Sequence, residues 1–124
     1  MKPALYAYEV WLAGPLERRS QVNARSAAAA RYSYFLDAGE WCPDVKYIDV
    51  RARKAGPPVT TEGHRATMKS RGRPELVAGA RVLVEGKPGF ITGGNYSSNF
   101  DVLLDHLRFS LNVHPADITL ENPT

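Results

Sequence analysis

Residues 79–120 read GARVLVEGKPGFITGGNYSSNFDVLLDHLRFSLNVHPADITL. Apolar residues recur at every second position: Val82 and Val84, then Phe100, Val102 and Leu104, then Leu107, Phe109, Leu111 and Val113. That is the period of half-buried strands, whose successive side chains point to opposite faces. Gly86-Lys87-Pro88-Gly89 separates the first run from Phe90-Ile91-Thr92. Gly93-Gly94-Asn95 with Ser97-Ser98-Asn99 separates the second from the third, and Asp105-His106 is the next turn. Glycine and asparagine accept the positive φ that tight turns require. His114-Pro115-Ala116-Asp117 reads as a single helical turn before a last strand, Ile118-Thr119-Leu120. Five short strands in 42 residues cover their apolar faces most economically by bending into a small barrel.

Four meandering strands, a short turn and a closing strand resemble an SH3-like or KOW-like small barrel. The string from Arg81 to Asp105, with Gly86, Gly89, Ile91-Thr92-Gly93, Asn95 and Ser97-Ser98-Asn99-Phe100-Asp101 at its fixed places and Val113-His114-Pro115 after it, is similar to the C-terminal part of small tailed-phage and prophage proteins of unknown function. The resemblance covers about a third of the chain. It implies a small accessory protein of phage or prophage origin, working in the cytoplasm of a bacterial host, and brings no catalytic residue with it.

Upstream lies KAGPPVTTEGHRATMKSRGRPELVA, residues 54–78. Pro57-Pro58 makes its start extended. Thr60 or Thr61 caps at most a short helix through Met68, and Arg71-Gly72-Arg73-Pro74 reads as an exposed turn. Further upstream, residues 4–12 (ALYAYEVWL) alternate as a strand with Tyr6, Tyr8, Val10 and Leu12 on one face, ended by Gly14-Pro15. Leu16 to Asn23 returns, through Ser20-Gln21-Val22, as a short second strand. Ser26 is a fitting N-cap for an alanine-rich helix over residues 27–38, with Gly39 as its stop. Spacing puts Ala28, Tyr32, Phe35 and Leu36 on the buried stripe. Val45 to Arg53 then alternates, Ile48, Val50 and Ala52 against Tyr47, Asp49, Arg51 and Arg53. The expected class is α+β: a strand–helix–strand unit (1–54), a basic connector (55–78) and an SH3-like small barrel (79–124). A right-handed parallel connection would suit the two long strands.

The chain has 124 residues, 23% of them charged and 44% hydrophobic, which are ordinary globular values. No apolar run approaches the ~20 residues of a bilayer span, so a soluble protein without a membrane partner is expected. The single cysteine, Cys42, excludes an internal disulfide and suits a reducing cytoplasm. Net charge is +3, but residues 46–73 hold eight basic residues against Asp49 and Glu62, a local +6, while residues 74–124 sum to −3. Arg51, Arg53, Arg65, Lys69, Arg71 and Arg73 are therefore candidate phosphate contacts, with Tyr47 to stack on a base. The same residues would also serve as a solvated edge that discourages aggregation. Asn95, Tyr96 and Ser98 offer donors and one aromatic ring to a protein partner, or simply form a turn.

Catalytic signals are weak. Cys42 could act with His64, His106 or His114, yet no nucleophile motif surrounds it, and packing beside Trp41 accounts for it. The acidic residues lack the spacing of a metal loop, and the glycines fit no nucleotide fingerprint. The reading is thus a non-catalytic protein without cofactor or metal, acting by macromolecular binding as a structural or assembly component or as a modulator of a host protein. A nucleic-acid-binding module is the alternative, and a small hydrolase or nuclease a distant third. An exposed barrel edge is compatible with a homodimer.

Overall fold

The computed structural model describes residues 4–14 and 19–121; the expected ends at Pro15 and Leu16 fall outside them. The chain divides into two compact units, Met1–Pro57 and Pro58–Thr124. Both are antiparallel sheets carrying a helix, so the protein is mixed α+β.

In the first unit β1 (Tyr6–Leu12), β2 (Ser20–Ala24) and β3 (Val50–Gly56) form a sheet in the order β2-β1-β3, and α1 (Ala27–Trp41) packs across it. Both pairings of β1 are antiparallel, so the connection is not the parallel crossover that the sequence left open. β1 turns Tyr8 and Val10 into the core, flanked by half-buried Tyr6 and Leu12, as its alternation predicts. Ser26 caps α1, its Oγ accepting from the Ala29 amide at 3.1 Å.

Two expectations about α1 fail. The helix runs through Gly39 to Trp41, because the Cys42 amide still closes on Ala38 O at 2.7 Å and Trp41 sets its ring edge-on to Tyr34 at 6.5 Å. The buried stripe is Ala30, Tyr34 and Ala38; of the four residues expected there, Phe35 packs half-buried against this core, while Tyr32 and Leu36 stay 40% and 50% exposed. The small alanines let the helix settle close against Val10 and Val50, which bulky residues at those positions would prevent. Val45–Arg53 is not one strand either. Tyr47–Asp49 is a 3-10 turn, and β3 starts only at Val50. The Tyr47 ring lies 5.7 Å from Phe35 and 6.2 Å from Tyr32, folding this turn onto α1 and leaving Ile48 71% exposed.

In the second unit, residues read as a connector form α2 (Glu62–Arg71). It is followed by β4 (Arg81–Val84), β5 (Lys87–Gly94), β6 (Phe100–Leu104), β7 (Leu111–Val113) and β8 (Ile118–Leu120). The sheet order β7-β6-β5-β4-β8 is a four-strand meander with the last strand returned beside the first; it curls as a half-barrel, with β7 and β8 as its edges. Glu85 and Gly86, both at positive φ, make the two-residue turn between β4 and β5, so Lys87–Gly89 lie in a strand rather than in the expected turn. A single 3-10 turn, Pro115–Asp117, precedes β8, and His114 Nδ1 accepts from the Ala116 amide at its start.

The concave core gathers Leu76, Val82, Val84, Ile91, Phe100, Val102, Leu104, Val113 and Ile118. Of the predicted run at 107–113 only Val113 is fully buried; Leu107 packs half-buried on the core, Phe109 is exposed outside any strand, and Leu111 is exposed on the edge strand β7. On the opposite face Arg81 lies over the Phe90 ring at 4.5 Å and pairs bidentately with Asp105 at 2.8 and 2.7 Å and with Glu121 at 3.0 Å. Those carboxylates hold the Arg81 guanidinium pKa above its ordinary value, Asp105 contributing most. The cluster ties β4 to the chain on either side of it.

Candidate functional site

The basic residues singled out from sequence divide between the units, Arg51 and Arg53 on β3 and the other four on and after α2. Most of them already have internal partners. Arg51 folds back to the carbonyl of Ile48. Arg53 and Arg19 both pair with Glu9, whose carboxyl they hold below its ordinary range, Arg53 first. Tyr47, expected to stack on a base, is enclosed by Tyr32, Phe35 and the Arg31 guanidinium at 4.6 Å, and its hydroxyl reaches Ala28 O.

Arg73 is part of the framework rather than an exposed turn. It donates to Pro115 O at 2.7 Å and Ile118 O at 3.0 Å and pairs with Glu75 at 2.9 Å, lowering that carboxyl's pKa. Its aim follows from Gly72, which at φ 64 caps α2 in the left-handed conformation and turns the chain sharply.

Arg71 joins two stretches that sequence kept apart. Its Nε donates to Ser98 O at 2.7 Å and its Nη2 to Asn99 Oδ1 at 3.3 Å, so the C-terminal end of α2 is fastened to the 95–99 loop. The loop is fixed internally as well. Asn95 Oδ1 accepts from the amides of Ser97 (3.0 Å) and Asn99 (3.3 Å), and Asn95 Nδ2 donates to Asp101 Oδ1 at 3.0 Å. The Ser98 amide closes on Asn95 O at 3.0 Å, with Ser98 itself at φ 56. This is the asparagine-nucleated turn its composition suggests. Tyr96 stands at the tip, fully exposed. Arg65 and Lys69, four residues apart on a neighbouring flank of α2, are exposed and make no ion pair among the described residues.

α2 is seated by polar contacts beside one apolar one, Met68, which packs half-buried on the core. Thr61 Oγ1 accepts from the His64 amide at 3.2 Å, and His64 and Thr67 are its buried residues. His64 Nε2 lies 2.8 Å from Leu76 O, and Thr60 Oγ1 accepts from the Ala78 amide at 3.0 Å. Gly94 of β5 provides the clearance: a Cβ there would sit 2.9 Å from Thr67 Oγ1 and 3.1 Å from His64 Cα. The cap at Thr61 was expected from sequence, but the seating roles of His64, Thr67 and Gly94 were not, though the spacing of His64, Thr67, Met68 and Arg71 (i, i+3, i+4, i+7) marks one helix face.

Of the catalytic candidates, Cys42 ends α1 in the first unit, while His64 and His114 are committed to local backbone groups in the second. Among the described residues no three His, Cys, Asp or Glu side chains gather to hold a metal, and no helix is long and apolar enough to cross a membrane. Comparison with protein-family models, curated proteins and solved structures finds no match for the chain.

Proposed function

We propose that this chain is a non-catalytic accessory protein, of the phage or prophage kind its 81–115 string resembles, that acts by binding a protein partner through the 95–99 loop. The observation that carries the reading is the full exposure of Tyr96 on a loop held by its own hydrogen bonds and by Arg71. Aromatic anchors dominate protein interfaces, and a pre-ordered loop loses little conformational freedom on binding. The SH3-like reading of the half-barrel is supported by its four-strand meander, its 3-10 turn and the return of β8 to β4.

The test is capture from bacterial host lysate with the wild type and Tyr96→Ala side by side. The variant is expected to lose the captured partner while its thermal stability moves by less than about 0.5 kcal/mol, because the side chain packs on nothing. Equal capture by both chains would remove Tyr96 from the contact surface.

A second reading, nucleic-acid binding, is supported by Arg65 and Lys69 alone, since Arg51, Arg53, Arg71 and Arg73 are engaged internally. Titration with short single- and double-stranded DNA and RNA at low and physiological salt tests it. Salt-sensitive binding that Arg65→Glu with Lys69→Glu abolishes would carry this reading forward.

A further inference from the structure

His64 is 1% exposed, and its imidazole is the buried ionisable ring among the described residues whose ordinary pKa lies near neutrality. Its Nε2 faces the Leu76 carbonyl at 2.8 Å. A carbonyl only accepts, so the ring proton sits on Nε2 and the lone pair on Nδ1. Nδ1 is buried with no hydrogen-bond partner among the described residues, and the ring packs edge-on against Phe100 at 5.8 Å. Asp101 on β6 favours a charged ring and Arg65 on α2 opposes it, and neither forms an ion pair with it. Burial outweighs both the Asp101 charge and the Leu76 hydrogen bond, and the imidazole pKa is lowered from 6.5.

We propose that His64 is a proton-operated latch: protonation of Nδ1 in mild acid frees α2 from β5 and slackens the 95–99 loop that Arg71 braces. The step is a simple proton uptake from solvent, imidazole to imidazolium. It would place a full charge and an N–H donor without an acceptor in an apolar pocket, and both penalties vanish once the ring reaches water. α2 opens along its whole length, because a helix of 10 residues does not persist in water without the sheet beneath it, and the Arg71 brace is released with it. The latched state binds fewer protons. It is therefore fully favoured above about pH 6.5, and each pH unit below shifts the equilibrium toward release by up to about tenfold until the latched-state pKa is passed. The consequence for binding rests on reading the 95–99 loop as the contact surface, whereas the latch belongs to the free protein.

The test uses the free full-length chain and hydrogen exchange at pH 7.5 and 5.5, as protection factors corrected for intrinsic exchange. Protection of the α2 amides and of the Ser98 amide is expected to fall by up to about tenfold per pH unit below about 6.5, while β4–β6 amides hold. His64→Gln, which keeps a donor toward Leu76 O and does not titrate, is expected to show no such fall. Unchanged α2 protection across the range, or loss from helix and sheet together, would overturn the latch. Should the Gln variant not fold, ring nitrogen shifts of the wild type decide: a proton on Nε2 at pH 7.5 and a midpoint below 6.5 support the latch, and a proton on Nδ1 or a midpoint at or above 6.5 overturns it. Capture by Tyr96→Ala tests the contact surface separately, so either idea can fail while the other stands.

Discussion

The two helices seat themselves on antiparallel sheets by opposite means. α1 makes its own clearance with Ala30 and Ala38 and anchors with the Tyr34 ring. α2 takes its clearance from a sheet residue, Gly94, and anchors with His64 and Thr67. An apolar seat is indifferent to solution conditions near neutrality, whereas a seat built on an imidazole depends on the proton. The same architecture therefore yields one permanent attachment and one conditional attachment.

Substitutions at the two seats can break this contrast, beginning with the largest effect. Tyr34→Ala should cost the first unit about 3–5 kcal/mol in denaturant unfolding, the penalty of emptying a large buried site; a loss below 1 kcal/mol would mean α1 is held elsewhere. Gly94→Ala should cost about 1–3 kcal/mol by overpacking, with the loss concentrated in α2 exchange; an unaffected α2 would show that the helix shifts freely.

Acidification should separate the units by order. The α2 seat begins to weaken below about pH 6.5, by at most about 1.4 kcal/mol per pH unit. Glu9, with its carboxyl pKa lowered from 4.5 by Arg53 and Arg19, keeps its contribution to the first unit until pH falls below that value. The Glu75–Arg73 pair of the second unit obeys the same lower limit. Simultaneous loss of both units on acid titration, followed by resolved amide signals, would erase the distinction. The smallest effects should be equal. Ser26→Ala and Thr61→Ala each remove one side-chain acceptor from an N-terminal turn, at 3.1 and 3.2 Å, and should each cost about 1 kcal/mol in thermal unfolding. Unequal costs would place the difference between the helices in their caps rather than in their seats.

What could be read in advance follows from the kind of contact. Val82, Val84, Phe100, Val102 and Leu104 were legible because burial on one sheet face forces a two-residue period. Ser26 and the His114-Pro115 turn were legible because capping and ring constraints are local. The buried face of α1 was not, since bulk points to Tyr32, Phe35 and Leu36 while close approach selects Ala30 and Ala38. Phe35 and Tyr32 instead receive Tyr47, a partner sequence periodicity placed on a strand. The roles of Arg71 and Arg73 were hidden more deeply, because both reach backbone carbonyls, and a carbonyl has no residue type to recognise. The turn at Asn95 was legible from its composition, but the fastening of its loop to α2 through Ser98 and Asn99 was not.

The half-barrel stops short of closure, and its two edges, β7 and β8, are three residues each. Templated fibre growth requires segments of about six or seven residues laid flat against one another. A foreign strand arriving here would find too short a ladder to extend, and β8 is also held by Arg73 at Ile118 O. Brevity gives this sheet the resistance to self-propagation that other barrels obtain by closing the ring.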